Sequence, residues 1–217
     1  MSVKRTPKSG ETLIFDRRVL LLVEGPDDQS FAAKQITTTL DADAWHIHVM
    51  VGKDSDWVNM IEIAMDDNWF SQQGTAVGVM LDADTDVEAA ADKARGIFRR
   101  AGLEVPSVHG ATVSDGVLKT GFFLAPDGTQ IGALEELIIR GIDPARRASA
   151  ESYISNISAE FEAPKHPLKA VLQAYFAGLP RHIKSIPVAV EITEAIPAGH
   201  PEFKPLRDFL EDLQTRP

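Results

Sequence analysis

The chain contains no cysteine. Disulfides and thiolate metal centres are therefore excluded, and the absence fits a reducing compartment. Long apolar runs are also missing, since none approaches the roughly 20 residues that cross a bilayer as a helix. Met1 to Gly10 is basic and has no apolar segment of the secretory kind, so a cytoplasmic location without membrane attachment is expected. Positive charge is scarce. Lys and Arg number 22 against 32 Asp and Glu, a net charge of −10, which argues against a broad basic surface that grips nucleic acid through its phosphates. Bound divalent cations would reverse that balance locally. The positive residues gather at Lys4, Arg5, Lys8, Arg17 and Arg18 and again at Arg95, Arg99 and Arg100, a distribution that solvated faces explain. A Walker lysine motif, a nucleophile elbow and a dinucleotide glycine fingerprint are all absent. The histidines show no His-Glu-x-x-His spacing.

What the chain does have is a set of short, fully apolar runs that end in acids. Val19-Leu20-Leu21-Leu22-Val23 runs into Glu24-Gly25-Pro26-Asp27-Asp28. Such a run, bounded by turn residues, predicts a strand buried on both faces. Pro26 suits the first turn of a following helix, and Asp27 and Asp28 suit the positive end of its dipole. That helix is predicted over Asp27 to Leu40, with Phe31, Ala32, Ile36 and Leu40 on one side. Trp45 to Val51 predicts a second strand, with Trp45, Ile47, Val49 and Val51 on one face and His46 and His48 on a partly exposed other. Asp54 or Ser55 caps a helix to about Trp69. Ala76 to Leu81 predicts a third strand, ending in Asp82-Ala83-Asp84-Thr85-Asp86. Thr85 and Glu88 form a capping-box pattern for a helix that Gly102 stops.

This alternation predicts a doubly wound, mainly parallel α/β sheet. Later signals are shorter. Val105 to Val108 and Gly116 to Leu124 read as strands, Pro126-Asp127-Gly128 as a turn, and Gly132 to Arg140 as a short helix. Helices follow at Arg146 to Ala163 and Pro167 to Ala177, an edge strand at Pro187 to Ile192, and a final helix striped by Phe203, Leu206, Phe209, Leu210 and Leu213. The expected organisation is a flexible lead-in over 1–10, an α/β core over 11–145 and a mainly helical portion over 146–217 packed on that core.

In the common 2-1-3 order of such sheets, the first and third strands are neighbours, about 4.8 Å apart. Glu24 and Asp82 then end adjacent strands at one edge, and Asp84 returns to the same side if the chain stays extended. An acid between a strand and a helix is commonly only a cap or a dipole partner. Three together repel one another and resist desolvation. A hard divalent cation relieves both costs, and Mg²⁺ characteristically binds one or two carboxylates plus water and phosphate oxygens. That donor set points to phosphoryl transfer or phosphodiester cleavage.

The pair Val23-Glu24-Gly25 and Leu81-Asp82-Ala83-Asp84 resembles the Toprim domain of primases, type IA and II topoisomerases, the maturase of small ribosomal RNA and OLD-family nucleases. The stretch Val23 to Asp28 resembles the OLD-type nucleases and small stand-alone Toprim proteins, and Leu134-Glu135-Glu136-Leu137 resembles a Leu-Glu element found there after the aspartates. The resemblance implies a Toprim-like sheet, Glu24 as general acid or base, and Asp82 and Asp84 as ligands of Mg²⁺ or Mn²⁺. Glu135, at the edge of the apolar face of its helix, is a candidate third ligand, whereas Glu136 is expected to pair with Arg140. Asp28 and Asp86 are possible auxiliary acids. Lys53, Lys119, Lys165 and Lys169 are candidate cations for a reacting phosphate. The expected activity is that of a small metal-dependent nuclease on DNA or RNA. The alternatives are a non-catalytic metal-binding or regulatory module working with a protein partner such as a separate ATPase, and a phosphohydrolase of small nucleotides. The sequence leaves the substrate, the metal count and the oligomeric state open.

Overall fold

The computed structural model describes residues 2–7 and 12–217. Its frame is a six-stranded sheet, and the strands in chain order are β1 (Lys4–Arg5), β2 (Val19–Val23), β3 (Trp45–Val49), β4 (Ala76–Asp82), β5 (Thr112–Ser114) and β6 (Lys119–Ala125). Their spatial order is β1-β3-β2-β4-β6-β5, parallel except for β5 against β6. The predicted adjacency of the first and third long strands is met: β2 lies between β3 and β4. Register pairs Val23 with Met80, so Asp82 stands one residue beyond the level of Glu24.

Helices cover both faces, as purely apolar strands require. On one face α1 (Pro26–Thr39), α5 (Leu134–Arg140), α6 (Pro144–Glu160), α7 (Pro167–Ala177), α8 (Ile186–Ala189) and α9 (Lys204–Gln214) follow one another. Phe31, Leu137, Tyr175 and Phe209 join Leu21, Met80 and Phe123 in that core. On the other face, α2 (Asp54–Asp66), α3 (Phe70–Gln73) and α4 (Val87–Arg100) contribute Trp57, Phe70 and Phe98, packed on Leu20, Val79 and Phe122. The helices after residue 145 thus share one apolar cluster with the sheet. Among the described residues, no helix is long and apolar enough to cross a membrane.

Several expectations are corrected. Within the predicted lead-in, Lys4–Arg5 pair with His46 and Ile47 as an edge strand, and Thr6 Oγ1 accepts hydrogen bonds from Gln29 Nε2 (2.9 Å) and the Val49 amide (2.6 Å). Residues 1 and 8–10, the rest of that segment, and Lys8 with them, lie outside the described residues. Val105 to Val108 is loop, because the partner it would need, β6, is paired instead by Thr112–Ser114. Pro187 to Ile192 overlaps the short helix α8 and forms no strand. Its buried residues Ile186, Ala189 and Val190 repeat at helical spacing, and Pro187 costs nothing in a first helical turn. The His46 and His48 face is not exposed to solvent. His46 is buried beside Phe15 and His48, and burial, with the neighbouring His48 adding to it, holds its imidazole down at about 4.

The floor beneath α9 is made by two glycines. Gly78 and Gly121 are cross-strand partners on β4 and β6. A Cβ on Gly121 would meet Phe209 Cε2 at 2.8 Å and the Ala111 carbonyl oxygen at 3.2 Å, so the helix seats against bare backbone. Gly121→Ala should therefore lower stability by about 1–3 kcal/mol through overpacking, read as a drop of several degrees in thermal midpoint.

Candidate functional site

The carboxyl edge of the parallel sheet opens into a cleft of about 690 Å³. Glu24, Asp27, Asp28, Asp82, Asp84, Glu135 and Glu136 line it, together with Lys165, His166 and Lys169. The position follows from topology: in open α/β sheets the crevice beyond the strand ends is where ligands bind.

Each acid arrives by a different route. Glu24 is the first residue past β2, and its Oε1 accepts a hydrogen bond from Lys93 Nζ at 3.0 Å. Asp28 sits in the first turn of α1 and is buried. Asp82 closes β4, and its Oδ1 accepts the Leu134 amide at 3.0 Å. It therefore also caps the start of α5. The chain does not stay extended at Asp84, which nonetheless lines the cleft with Asp82. The φ of Asp84 is +47°, and its backbone exchanges two hydrogen bonds with Gly132, of 2.7 and 2.8 Å. This two-residue clasp draws the chain after β4 against the loop before α5. Asp tolerates such a left-handed conformation better than most residues.

Glu135 is buried, and its Oε1 lies 3.1 Å from Lys169 Nζ. Glu136 does not pair with Arg140 as predicted. Its Oε2 accepts the Ala133 amide at 2.8 Å, while Arg140 binds Asp127 at 2.6 Å.

The auxiliary residues divide. Asp28, Lys165 and Lys169 line the cleft. Asp86 is the N-cap of α4, its Oδ1 accepting the Glu88 and Ala89 amides at 3.0 Å each. It takes the role assigned above to Thr85, which instead faces the cleft. Lys53 precedes α2. Lys119, at the opposite end of its strand, is buried against α9 and donates to the Asp212 carbonyl oxygen (2.8 Å) and Thr215 Oγ1 (2.6 Å). Sequence reasoning missed Lys93. Its only local sign was a lysine in the middle of an alanine-rich helix, which surface exposure explains equally well.

Electrostatics reflect the crowding. Burial, then the neighbouring Asp28 and Glu24, push Asp82 up from 3.8 to about 8, against the pull of the Leu134 amide. Burial, followed by Glu24, pushes Asp28 up to about 7. Asp27 is also raised, again chiefly by burial, with Lys169 opposing. All the acidic donors are hard oxygens, the set suited to Mg²⁺ or Mn²⁺. Among the described residues, no three carboxylate or imidazole groups are already gathered to hold one ion. Glu24 and Glu135 are drawn instead to their lysines.

A family model described as a protein of unknown function (DUF3226) matches residues 18–215. No curated protein matches the chain. Two solved structures of the C-terminal region of the Xanthomonas campestris pv. campestris OLD protein are similar to it, both at 13% identity. One, phased with iodine, has a TM-score of 0.41 and covers 93% of this chain and 94% of its own. The other, phased with mercury, has a TM-score of 0.38 and covers 93% and 82%.

A carboxyl raised on folding favours the folded state fully below its unfolded pKa and loses that contribution as pH climbs to the folded value. For Asp82 the window runs from 3.8 to about 8. Asn at this position keeps the acceptor for the Leu134 amide and carries no charge. In the presence of a chelator, Asp82→Asn should raise the thermal midpoint at pH 8 by several degrees, on the order of 2–4 kcal/mol. The advantage should shrink steadily towards pH 4. A constant difference across that range would mean that Asp82 is not titrating in it.

Proposed function

The chain belongs to the DUF3226 family, and we propose that it is a divalent-metal-dependent phosphodiesterase of Toprim type, acting on nucleic acid. One observation carries the reading. Glu24 and Asp82, at the ends of two adjacent parallel strands, open into the same cleft as Asp84, Asp28 and Glu135. The motif pair Val23-Glu24-Gly25 and Leu81-Asp82-Ala83-Asp84 supports the Toprim assignment.

Asp82, Asp84 and Glu135 are the residues that would hold the metal. Asp82 keeps Oδ2 available while Oδ1 is bound to the Leu134 amide. The group pushed furthest up in pKa is the one whose ionised form a cation would stabilise most. Bound Mg²⁺ or Mn²⁺ supplies charge neutralisation on the phosphate and activation of water.

Glu24, held by Lys93, serves as general acid or base towards the attacking or leaving oxygen. Asp28, behind it, raises the local negative field and with it the demand for a cation. Lys169, exposed on α7 and within reach of Glu135, offers an ammonium to the non-bridging phosphate oxygens, and Lys165 adds a second positive charge to that wall. Lys169 on α7 and Lys165 just before it thus bring the cations, while the ends of β2 and β4 and the first turns of α1 and α5 bring the acids.

Purified protein should cleave a labelled oligonucleotide when Mg²⁺ or Mn²⁺ is supplied, and should stop when it is chelated. Glu24→Gln should lower the rate by about 10²–10⁴-fold, and Asp82→Asn at least as much. Cleavage that survives both substitutions would be contamination and would sink the reading. A panel of nucleotides and oligonucleotides at fixed Mg²⁺ separates a nuclease from a small-nucleotide phosphohydrolase.

A further inference from the structure

A second cavity, of about 300 Å³, opens beside the acidic cleft. Its walls are Met50, Val51, Gly52, Trp57, Lys93 and Glu24, and Glu24 also lines the cleft. The two spaces therefore meet at the carboxylate proposed as the acid or base. Their characters differ. The cleft is dominated by acids, whereas the cavity combines one ammonium with apolar surface.

Lys93 Nζ lies 3.0 Å from Glu24 Oε1 and 4.0 Å from Asp54 Oδ1, and sits 5.6 Å from the centre of the Trp57 ring. An ammonium carries three donors, and among the described residues its one hydrogen bond goes to Glu24. Its side chain is about one-third open to solvent, at 34%. Val51 is 84% exposed, more than any other large apolar residue described. It contributes nothing to the core, so core packing does not explain an aliphatic side chain at that position. Next to it, Gly52 adopts φ +121°, and a Cβ there would meet Asp56 Oδ2 at 2.1 Å. The loop is thus restricted to bare backbone where it borders the cavity.

We infer that this cavity is a subsite for the nucleotide next to the reacting phosphate, with Lys93 binding its backbone phosphate and Val51 contacting its sugar or base. The inference rests on the phosphodiesterase reading and extends it to a polymeric substrate. A nucleic acid strand crossing Glu24 passes from Lys165 and Lys169, over the acids, to Lys93. Phosphate in the subsite competes with Glu24 for the Lys93 ammonium, so strand binding frees Glu24 towards the cleft. A small nucleotide that fills only the cleft leaves that ion pair in place.

The test is fluorescence anisotropy with labelled thymidine and uridine oligonucleotides of about 12 residues, in Ca²⁺. Lys93→Ala should weaken binding about 5–10-fold near 0.1 M salt and flatten the logarithmic salt dependence by about 0.7. Val51 packs on no core residue, so its variants should keep the wild-type thermal midpoint. Val51→Glu should weaken binding and Val51→Lys should tighten it. Val117→Lys, at a site 73% exposed near the start of β6, controls for a general charge effect and should leave binding unchanged. The DNA and RNA arms report which sugar the subsite accepts. Unchanged affinity in Lys93→Ala and in both Val51 variants overturns the subsite, as does a wild-type protein that binds neither oligonucleotide. Lys93-dependent binding without Mg²⁺- or Mn²⁺-dependent cleavage overturns the phosphodiesterase reading and leaves the cavity as a nucleic-acid contact site only.

Discussion

Mutual repulsion among carboxylates at the carboxyl edge of the sheet is the constraint on which the rest of the site depends. Asp28 and Asp82 are displaced towards neutrality because burial first, and then neighbouring carboxylates (Glu24 for Asp28, Asp28 and Glu24 for Asp82), disfavour the charged forms. A fold that tolerates this needs stability from elsewhere, and the sheet supplies it. Val19 to Val23 and Val77 to Leu81 are buried throughout. Each strand is apolar until the residue at which it leaves the core, and only then does an acid appear. The boundary between core and chemistry is thus one residue wide.

The acids do not stand unsupported. Lys93 holds Glu24, Lys169 holds Glu135, and the Leu134 amide holds one oxygen of Asp82. Each contact has a modest structural meaning, as a partly exposed ion pair or as a helix cap. In the proposed function, a cation entering the cleft would compete with Lys169 for Glu135, which makes that ion pair part of the site's chemistry as well as of its stability. Asp86, by contrast, is fully occupied as a cap, and structure accounts for it.

A net charge of −10 argues against a broad electrostatic grip on nucleic acid. The arrangement of a few cations meets that objection more directly than their number does. Lys169 reaches the cleft from α7 and Lys165 from the segment just before it, and Lys93, on the helix after β4, lines the cavity that meets the cleft at Glu24. In the proposed function, positive charge is needed only where phosphate passes. The helices beyond residue 145 belong to the same apolar core as the sheet and also furnish one wall of the cleft.

The parallel α/β frame, its three long strands with the 2-1-3 order, and the placement of Glu24 and Asp82 at neighbouring strand ends were legible from apolar runs that stop in acids. Period and turn chemistry suffice for that because they are local. Short pieces were not legible: Lys4–Arg5 and Thr112–Ser114 are strands only because β3 and β6 present free edges to them, and Ile186–Ala189 is a helix because its apolar residues are buried at helical spacing. Partnerships across the fold were also hidden. Nothing local links Lys93 to Glu24, 69 residues away, or Asp84 to Gly132. The sequence by itself determined which residues could carry charge at the edge of an apolar sheet. Tertiary structure alone decided which lysine faces which acid, because side-chain electrostatics act through space between elements that only packing brings together.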